Sequence, residues 1–245
     1  MKTQYSPKLR ETDDNTRDGI KGYLYYFQDM ATGHLHTFGK GNDTIPDDYG
    51  ICWMYTKYKI HLENESDFEP VDLETWIEAT RFPGVIHQAL EVSRGGAILA
   101  KGRLESCLVD IASGRLTKPA AIEFPAEVFE DRHVDVEPFV KLPKTVSPDM
   151  ELAYSHTVRY TDLDRNRHMT NLRYVTLLMD AFDSDFYHKY LMSDLELHYV
   201  SQCFEGEEIK IYKKETPDGW LVSVAHTDGS AAAVALIGVK ERTAG

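Results

Sequence analysis

The feature that most constrains the fold is a segment that occurs twice. Tyr5-Ser6-x-x-x-Arg10-x-Thr12-Asp13 returns as Tyr154-Ser155-x-x-x-Arg159-x-Thr161-Asp162, with five of nine positions identical at one constant offset. Self-similarity of this kind marks one structural plan used twice. In each copy an Asp/Asn/Arg-rich turn follows, then a helix-like segment, then several strand-like runs. A weaker echo of Lys59-Ile60-His61-Leu62 in Glu196-Leu197-His198-Tyr199 carries the repeat past the helix. The 245 residues are enough for two small units, each with its own core.

Periodicity fills in each unit. Ile20, Leu24, Phe27, Met30 and Ala31 predict a helix over 20–32, with Gly33 as its stop signal. A second helix starts near Thr170 or Asn171, either able to cap it, and carries Leu172, Val175, Leu178, Met179, Phe182, Phe186 and Tyr190. Runs rich in β-branched and aromatic residues predict strands over 51–62, 71–79, 85–92 and 97–111, then over 195–203, 207–215, 220–226 and 231–240. Pro217-Asp218-Gly219 and Asp228-Gly229-Ser230 read as hairpin turns. Residues 125–150 hold four of the ten prolines, which lack a ladder donor, so they read as an extended connection. The expected organisation is α+β: units at 1–124 and 151–245, each a long helix covered by an antiparallel meander, joined by a Pro-rich linker at 125–150.

Composition narrows the partners. Forty acidic against twenty-seven basic residues give a net charge of −13, which argues against nucleic acid, because phosphate neutralisation needs clustered Lys and Arg. The apolar run 231–239 is about half of the roughly 18 to 20 residues a membrane span needs. The N-terminal residues match neither a secretory signal nor a transit peptide, so a cytoplasmic protein is expected. Cys52, Cys107 and Cys203 are odd in number, with no CxxC pair, which argues against a disulfide framework or a structural zinc. His34-x-His36 has no third ligand at metal spacing and reads as an exposed helix end.

The densest polar cluster runs from Tyr160 to Asn171, between a strand and the second helix. Asp164, Asn166 and His168 are spaced by two, so in an extended segment a carboxylate, an amide and an imidazole project to one side. The helix start that follows offers backbone N–H groups and the positive end of a dipole, suited to a developing oxyanion. The same residues also suit Asx turns and helix caps, with the His168 ring packed on the core. Asp162-x-Asp164-x-Asn166 begins like a calcium loop, but Arg167 stands where glycine is required and Arg173 where a bidentate Glu is required. There is no G-x-S-x-G elbow.

The run Leu163-Asp164-Arg165-Asn166-Arg167-His168-Met169-Thr170-Asn171-Leu172-Arg173-Tyr174 resembles the D-x-N-x-H-x-x-N-x-x-Y signature of acyl-acyl-carrier-protein (acyl-ACP) thioesterases. Trp53, Leu73-Glu74-Thr75-Trp76 and Val109-Asp110-x-x-x-Gly114-Arg115-Leu116-x-Lys118-Pro119 extend the resemblance over nearly the whole chain. It implies a double hotdog fold, two tandem units of a helix wrapped by antiparallel sheet. It also implies hydrolysis of fatty acyl-ACP to free fatty acid, without a cofactor or metal. Asp164, Asn166 and His168 then form the catalytic cluster. The family places Glu-Cys thirty-eight residues past the Asp; here those positions are Gln202 and Cys203. Gln202 is no base, which leaves it to position a water.

On that resemblance, Asn166 and the backbone near Met169 and Thr170 hold the thioester oxygen, Asp164 orients His168, and His168 takes a proton from water. Attack by Cys203 is the alternative. The first-unit counterparts Asn15, Arg17 and Gly19 supply no base, so one active site per chain is expected, with Trp53 among the residues walling an acyl tunnel. The partner is acyl carrier protein bearing a 4'-phosphopantetheine thioester; its acidity calls for a local basic rim, met by Arg165, Arg167 and Arg173 around the catalytic run and by Lys210, Lys213 and Lys214 on a later strand. A homodimer is compatible with this plan. Acyl-CoA hydrolysis and non-catalytic acyl binding are the competing functions.

Overall fold

The computed structural model describes residues 1–8, 19–65, 67, 69–79, 84–164 and 166–242. Arg10, Thr12, Asp13, Asn15, Arg17 and Arg165 lie outside the described residues. The chain forms two compact units, Met1–Glu137 and Pro138–Gly245.

The first unit contains β1 (Lys2–Tyr5), α1 (Ile20–Thr37), α2 (Ile45–Tyr49), β2 (Ile51–Leu62), β3 (Val71–Glu78), β4 (Val85–Arg94), β5 (Ala97–Asp110), β6 (Leu116–Thr117) and β7 (Phe129–Glu130). Its main strands are ordered β1-β3-β4-β5-β2, all neighbours antiparallel. The second unit contains β8 (Glu151–Thr157), α3 (Asn171–Met179), α4 (Ser184–Lys189), β9 (Tyr190–Tyr199), β10 (Glu208–Thr216), β11 (Gly219–Ala225) and β12 (Ala231–Glu241), with strand order β8-β10-β11-β12-β9. The two orders are the same when each unit is counted from its own first strand. Tyr5 and Tyr154, the first residues of the repeated segment, lie on these equivalent edge strands. Each unit is thus a hotdog, a helix against an antiparallel sheet.

In the first unit α1 packs on β3 and β4. It buries Tyr23, Leu24, Tyr26, Phe27, Met30, Ala31 and Leu35, the 3.6-residue stripe read from sequence extended by one turn. Gly33 does not stop it, because Leu35 still reaches the core and Thr37 Oγ1 donates to the His34 carbonyl at 2.6 Å. His34 is consequently buried, not part of an exposed end, and burial pushes its imidazole down to about 4. The close approach of α1 depends on Gly102 in β5, where an added Cβ would lie 2.0 Å from Phe27 Cε2 and 2.9 Å from the Lys59 carbonyl oxygen. The β4–β5 hairpin turns through Gly95 and Gly96, whose φ values of 56° and 84° suit only a two-residue primed turn.

The second unit departs from the expected long rod. Asp183 accepts the Phe186 N–H at 2.9 Å and starts a new short helix, so the segment is broken between Met179 and Ser184. The apolar stripe survives the break: Phe182 stacks on Phe186 at 4.2 Å, and Trp220 meets Phe182 edge-on at 5.2 Å. Tyr190 opens β9 instead of closing the helix. The segment 125–150 is mostly irregular, as its prolines suggest, but includes a 3-10 turn at Ala126–Val128 and the two-residue β7, which runs parallel to β3.

Candidate functional site

The loop between β8 and α3 is held by its own backbone. A 3-10 turn at Tyr160–Asp162 buries Asp162, whose Oδ2 accepts the Arg159 N–H at 2.9 Å and His156 Nε2–H at 2.7 Å. Arg173, from the first turn of α3, sets its Nε 2.8 Å from Asp162 Oδ1. Burial raises the Asp162 carboxyl, but the hydrogen bonds from Arg159 and His156 and the charges of Arg173 and His156 outweigh it and hold the group below the usual Asp range. The repeated motif ends on this residue, and that was the available signal: Asp162 anchors the loop to strand and helix at once.

From that anchor the chain turns back on itself. The Asp164 N–H donates to the His168 carbonyl at 2.8 Å, and Leu163 and Met169 form an antiparallel bridge. Asp164 Oδ1 accepts the N–H of Asn166 at 2.8 Å and of His168 at 3.3 Å. Arg167 sits at the tip with φ of 63°, a left-handed conformation uncommon for a side chain this size. Asp164 thus shapes the loop through the backbone of His168, where sequence reasoning had it orient the ring. The His168 ring packs edge-on against Phe204, centroids 5.2 Å apart.

A second segment closes the site. The strand expected to reach residue 203 ends at Tyr199, because Val200 and Ser201 both turn their N–H groups to the Ala232 carbonyl, at 2.9 and 3.1 Å. The freed 202–204 segment then pairs with the loop: the Met169 N–H donates to the Cys203 carbonyl at 3.0 Å, and His168 bridges Phe204. Gln202 is exposed on this segment. Asp164, Asn166, His168, Gln202 and Cys203 are therefore contributed by two adjoining pieces of backbone.

Three expected roles meet a different geometry. The N–H groups of Met169 and Thr170 are engaged, by Cys203 O and by Asp162 O at 2.9 Å, so the donors with no intrahelical acceptor are those of the next residues, Asn171 and Leu172. Trp53 lies in the core of the first unit: its Nε1–H donates to Lys40 O at 2.7 Å, and its ring meets Phe124 at 5.7 Å. Of the basic rim, Arg167 is exposed, Arg173 is spent on Asp162, Lys213 donates to Ala181 O, and Lys214 pairs with Asp149.

Cys203 is fully buried; burial pushes its thiol up to about 11, with the Glu207 charge adding to the rise. Its N–H donates to Tyr174 Oη at 3.0 Å. Tyr174 is the last residue of the D-x-N-x-H-x-x-N-x-x-Y run, and it ties α3 to the segment carrying Gln202.

Residues 145–237, which include this whole constellation, match the family model for the acyl-ACP thioesterase C-terminal domain. The C-terminal half is thus similar to the acyl-ACP thioesterase C-terminal domain. Similarity extends upstream of it. A chloroplastic acyl-[acyl-carrier-protein] hydrolase of Cuphea viscosissima is 21% identical over 235 residues, covering 89% of this chain and 56% of the relative. The chloroplastic dodecanoyl-[acyl-carrier-protein] hydrolase of Cinnamomum camphora is 22% identical over 214 residues, covering 79% and 53%. The chain thus spans about half the length of these curated relatives. The fold is that of an acyl-ACP thioesterase from Bacteroides thetaiotaomicron (TM-score 0.87, 18% identity, 98% of this chain and 97% of that one). It is also that of the 12:0-ACP thioesterase from Umbellularia californica (TM-score 0.84, 18% identity, 99% and 97%). Among the described residues no helix is long and apolar enough to cross a membrane.

Proposed function

We propose that the chain is a thioester hydrolase that releases free fatty acid from fatty acyl-ACP and so ends chain elongation. The observation that carries this is the family match over 145–237, inside which Asp164, Asn166 and His168 stand on one backbone-locked loop directly before a helix N-terminus.

The scheme uses the chain's own groups. The thioester oxygen is held by the Asn166 amide and the first N–H groups of α3, aimed where negative charge develops. His168 takes a proton from a water as its oxygen attacks the carbonyl carbon, with the Gln202 amide orienting that water. The carbon–sulfur bond breaks, and the pantetheine thiol leaves with the proton from His168. Asp164 keeps Asn166 and His168 in register. Cys203 is a buried strut in this scheme, because a thiol held protonated near neutral pH is a poor nucleophile. The phosphopantetheine arm and the acidic carrier meet the exposed guanidinium of Arg167, with Arg165 two residues earlier in sequence.

The absence of a carboxylate at Gln202 favours one rival, a non-catalytic acyl-binding protein. Thiol release measured on acyl-ACP and on acyl-CoA of matched chain lengths separates the readings. Turnover that is faster on acyl-ACP and falls by about 100-fold or more in His168→Ala is expected, in keeping with loss of a general base. Wild-type turnover in His168→Ala would overturn the site, and no release from either thioester would favour acyl binding.

A further inference from the structure

On the other side of the 201–204 segment lies a second constellation that the thioesterase scheme does not use. His226, just beyond β11, donates Nδ1–H to Glu207 Oε1. Its Nε2 lies 2.7 Å from Ser201 Oγ. The other Glu207 oxygen, Oε2, accepts the Phe204 N–H at 3.1 Å, which fixes the carboxylate in place. Ser201 is exposed, while His226 and Glu207 are half-buried. The single Ser201 hydroxyl proton has two acceptors in reach, Nε2 at 2.7 Å and the Ala231 carbonyl at 3.2 Å. With Nδ1–H committed to the carboxylate, Nε2 carries the lone pair, and the shorter contact is the one to it. A nucleophile bonded to a base that is itself oriented by an acid is the arrangement of an activated serine, recognised by geometry and not by chain position.

We propose that Ser201, His226 and Glu207 form a nucleophilic serine centre, distinct from the His168 loop, that accepts an acyl group from an ester or thioester. Ser201 Oγ bonds to the carbonyl carbon as its proton passes to His226 Nε2. The bond to the alcohol or thiol breaks, and the leaving group takes that proton from His226. A water then attacks the seryl ester by the same route in reverse, restoring the hydroxyl and releasing the acid. Glu207 stabilises the transient imidazolium and stays ionised throughout.

The same neighbourhood also offers Cys203, Glu207 and His226 as ligand atoms within 4.8 Å of one another. The serine reading is favoured over a metal for two reasons: Glu207 and His226 already spend their facing atoms on each other, and the Cys203 thiol is held protonated by burial.

The test needs no thioester, so its failure is separate from failure of the thioesterase reading. The intact folded protein is treated with an alkyl fluorophosphonate, which phosphonylates an activated serine as fluoride leaves, and the adduct is mapped by peptide mass spectrometry. One adduct on Ser201 is expected. It is absent in Ser201→Ala, and its rate of formation falls at least about 100-fold in His226→Ala and about 10-fold in Glu207→Gln, with unchanged circular dichroism in each. A folded wild-type protein left unlabelled at Ser201 overturns the proposal. So does labelling of Ser201 at the wild-type rate in folded His226→Ala.

Discussion

The Met169 N–H and the Cys203 carbonyl are 3.0 Å apart, and that one hydrogen bond joins the loop bearing Asp164, Asn166 and His168 to the segment bearing Gln202. Its position accounts for the order of events in the chain. β9 must end at Tyr199 for Cys203 to turn its carbonyl toward the loop, and the loop must close on Asp164 for Met169 to present its N–H. The geometry of the site therefore rests on backbone, with side chains fixing the backbone.

Asp164 is the first place to test this. Its carboxylate accepts two loop N–H groups and stands beside a left-handed Arg167, so Asp164→Ala frees the turn without touching a core residue. Turnover of acyl-ACP is expected to fall about 10- to 100-fold, the usual cost of small displacements of reacting groups. Thermal stability should fall by about 1 kcal/mol, as for a lost cap. Asp164→Asn, which keeps an acceptor oxygen, should recover most of both. Steady-state rates and melting curves on the three proteins check it.

Much of this architecture was legible in the sequence. The duplicated Tyr-Ser segment pointed to one plan used twice, and its tyrosines lie on β1 and β8, equivalent strands in the shared order; the β2 limits were read correctly at Ile51 and Leu62, where alternation is strong. Where the reading failed, tertiary contacts overrode local signals. Gly33 resembles a stop, but Leu35 has a core to reach; Tyr190 continues a helical stripe, but Asp183 has already broken the rod. Met169 and Thr170 precede a helix and so look like free donors, yet their N–H groups are taken by Cys203 and Asp162, partners that no local spacing reveals. The Ser201, Glu207 and His226 cluster is also invisible in one dimension, since three separate turns bring it together.

Asp162 carries a pH signature. Its carboxyl is held below the usual Asp range in the folded protein, so between the folded and unfolded values the unfolded chain binds more protons. Its stabilisation is complete above the unfolded value near 4 and is lost as pH falls through the folded value. Asp162→Asn should therefore lower stability at neutral pH by about 1.5 to 3 kcal/mol, the scale of hydrogen bonds to a buried charge. The gap from wild type should close in acid. Melting temperatures of both proteins from pH 7 down to pH 3 test the direction.

Cys203 should behave as packing. Burial holds its thiol up at about 11, so alkylation by iodoacetamide at pH 7.5 should leave Cys203 unmodified until the protein is unfolded. Cys203→Ala is expected to keep most of the acyl-ACP turnover and to lose about 1 kcal/mol of stability from the small cavity. A loss of turnover near three orders of magnitude in a folded Cys203→Ala protein would instead make the thiol the nucleophile.

Gly102 tests the first unit in isolation from the chemistry. Its added Cβ would collide with Phe27 and crowd the Lys59 carbonyl, and that carbonyl belongs to the neighbouring strand and cannot swing away. Gly102→Ala should cost about 1 to 3 kcal/mol through overpacking. Gly102→Ala combined with Phe27→Leu, which withdraws the clashing ring edge, should recover part of the loss. Denaturant titration of the single and double variants measures both.

Arg167 bears on how an acidic carrier approaches a chain of net charge −13. Arg173 is committed to Asp162, and Lys213 and Lys214 to Ala181 and Asp149, whereas Arg167 is exposed at the tip of the loop. Steering by an exposed charge acts on encounter and is screened beyond about 10 Å at 0.1 M salt. Arg167→Glu should therefore raise KM for acyl-ACP several-fold at low salt, with kcat little changed, and the two proteins should converge as salt rises. Pairing it with Arg165→Glu should enlarge the effect. A KM for acyl-ACP that is the same in wild type and both variants at low and high salt would remove these arginines from carrier recognition.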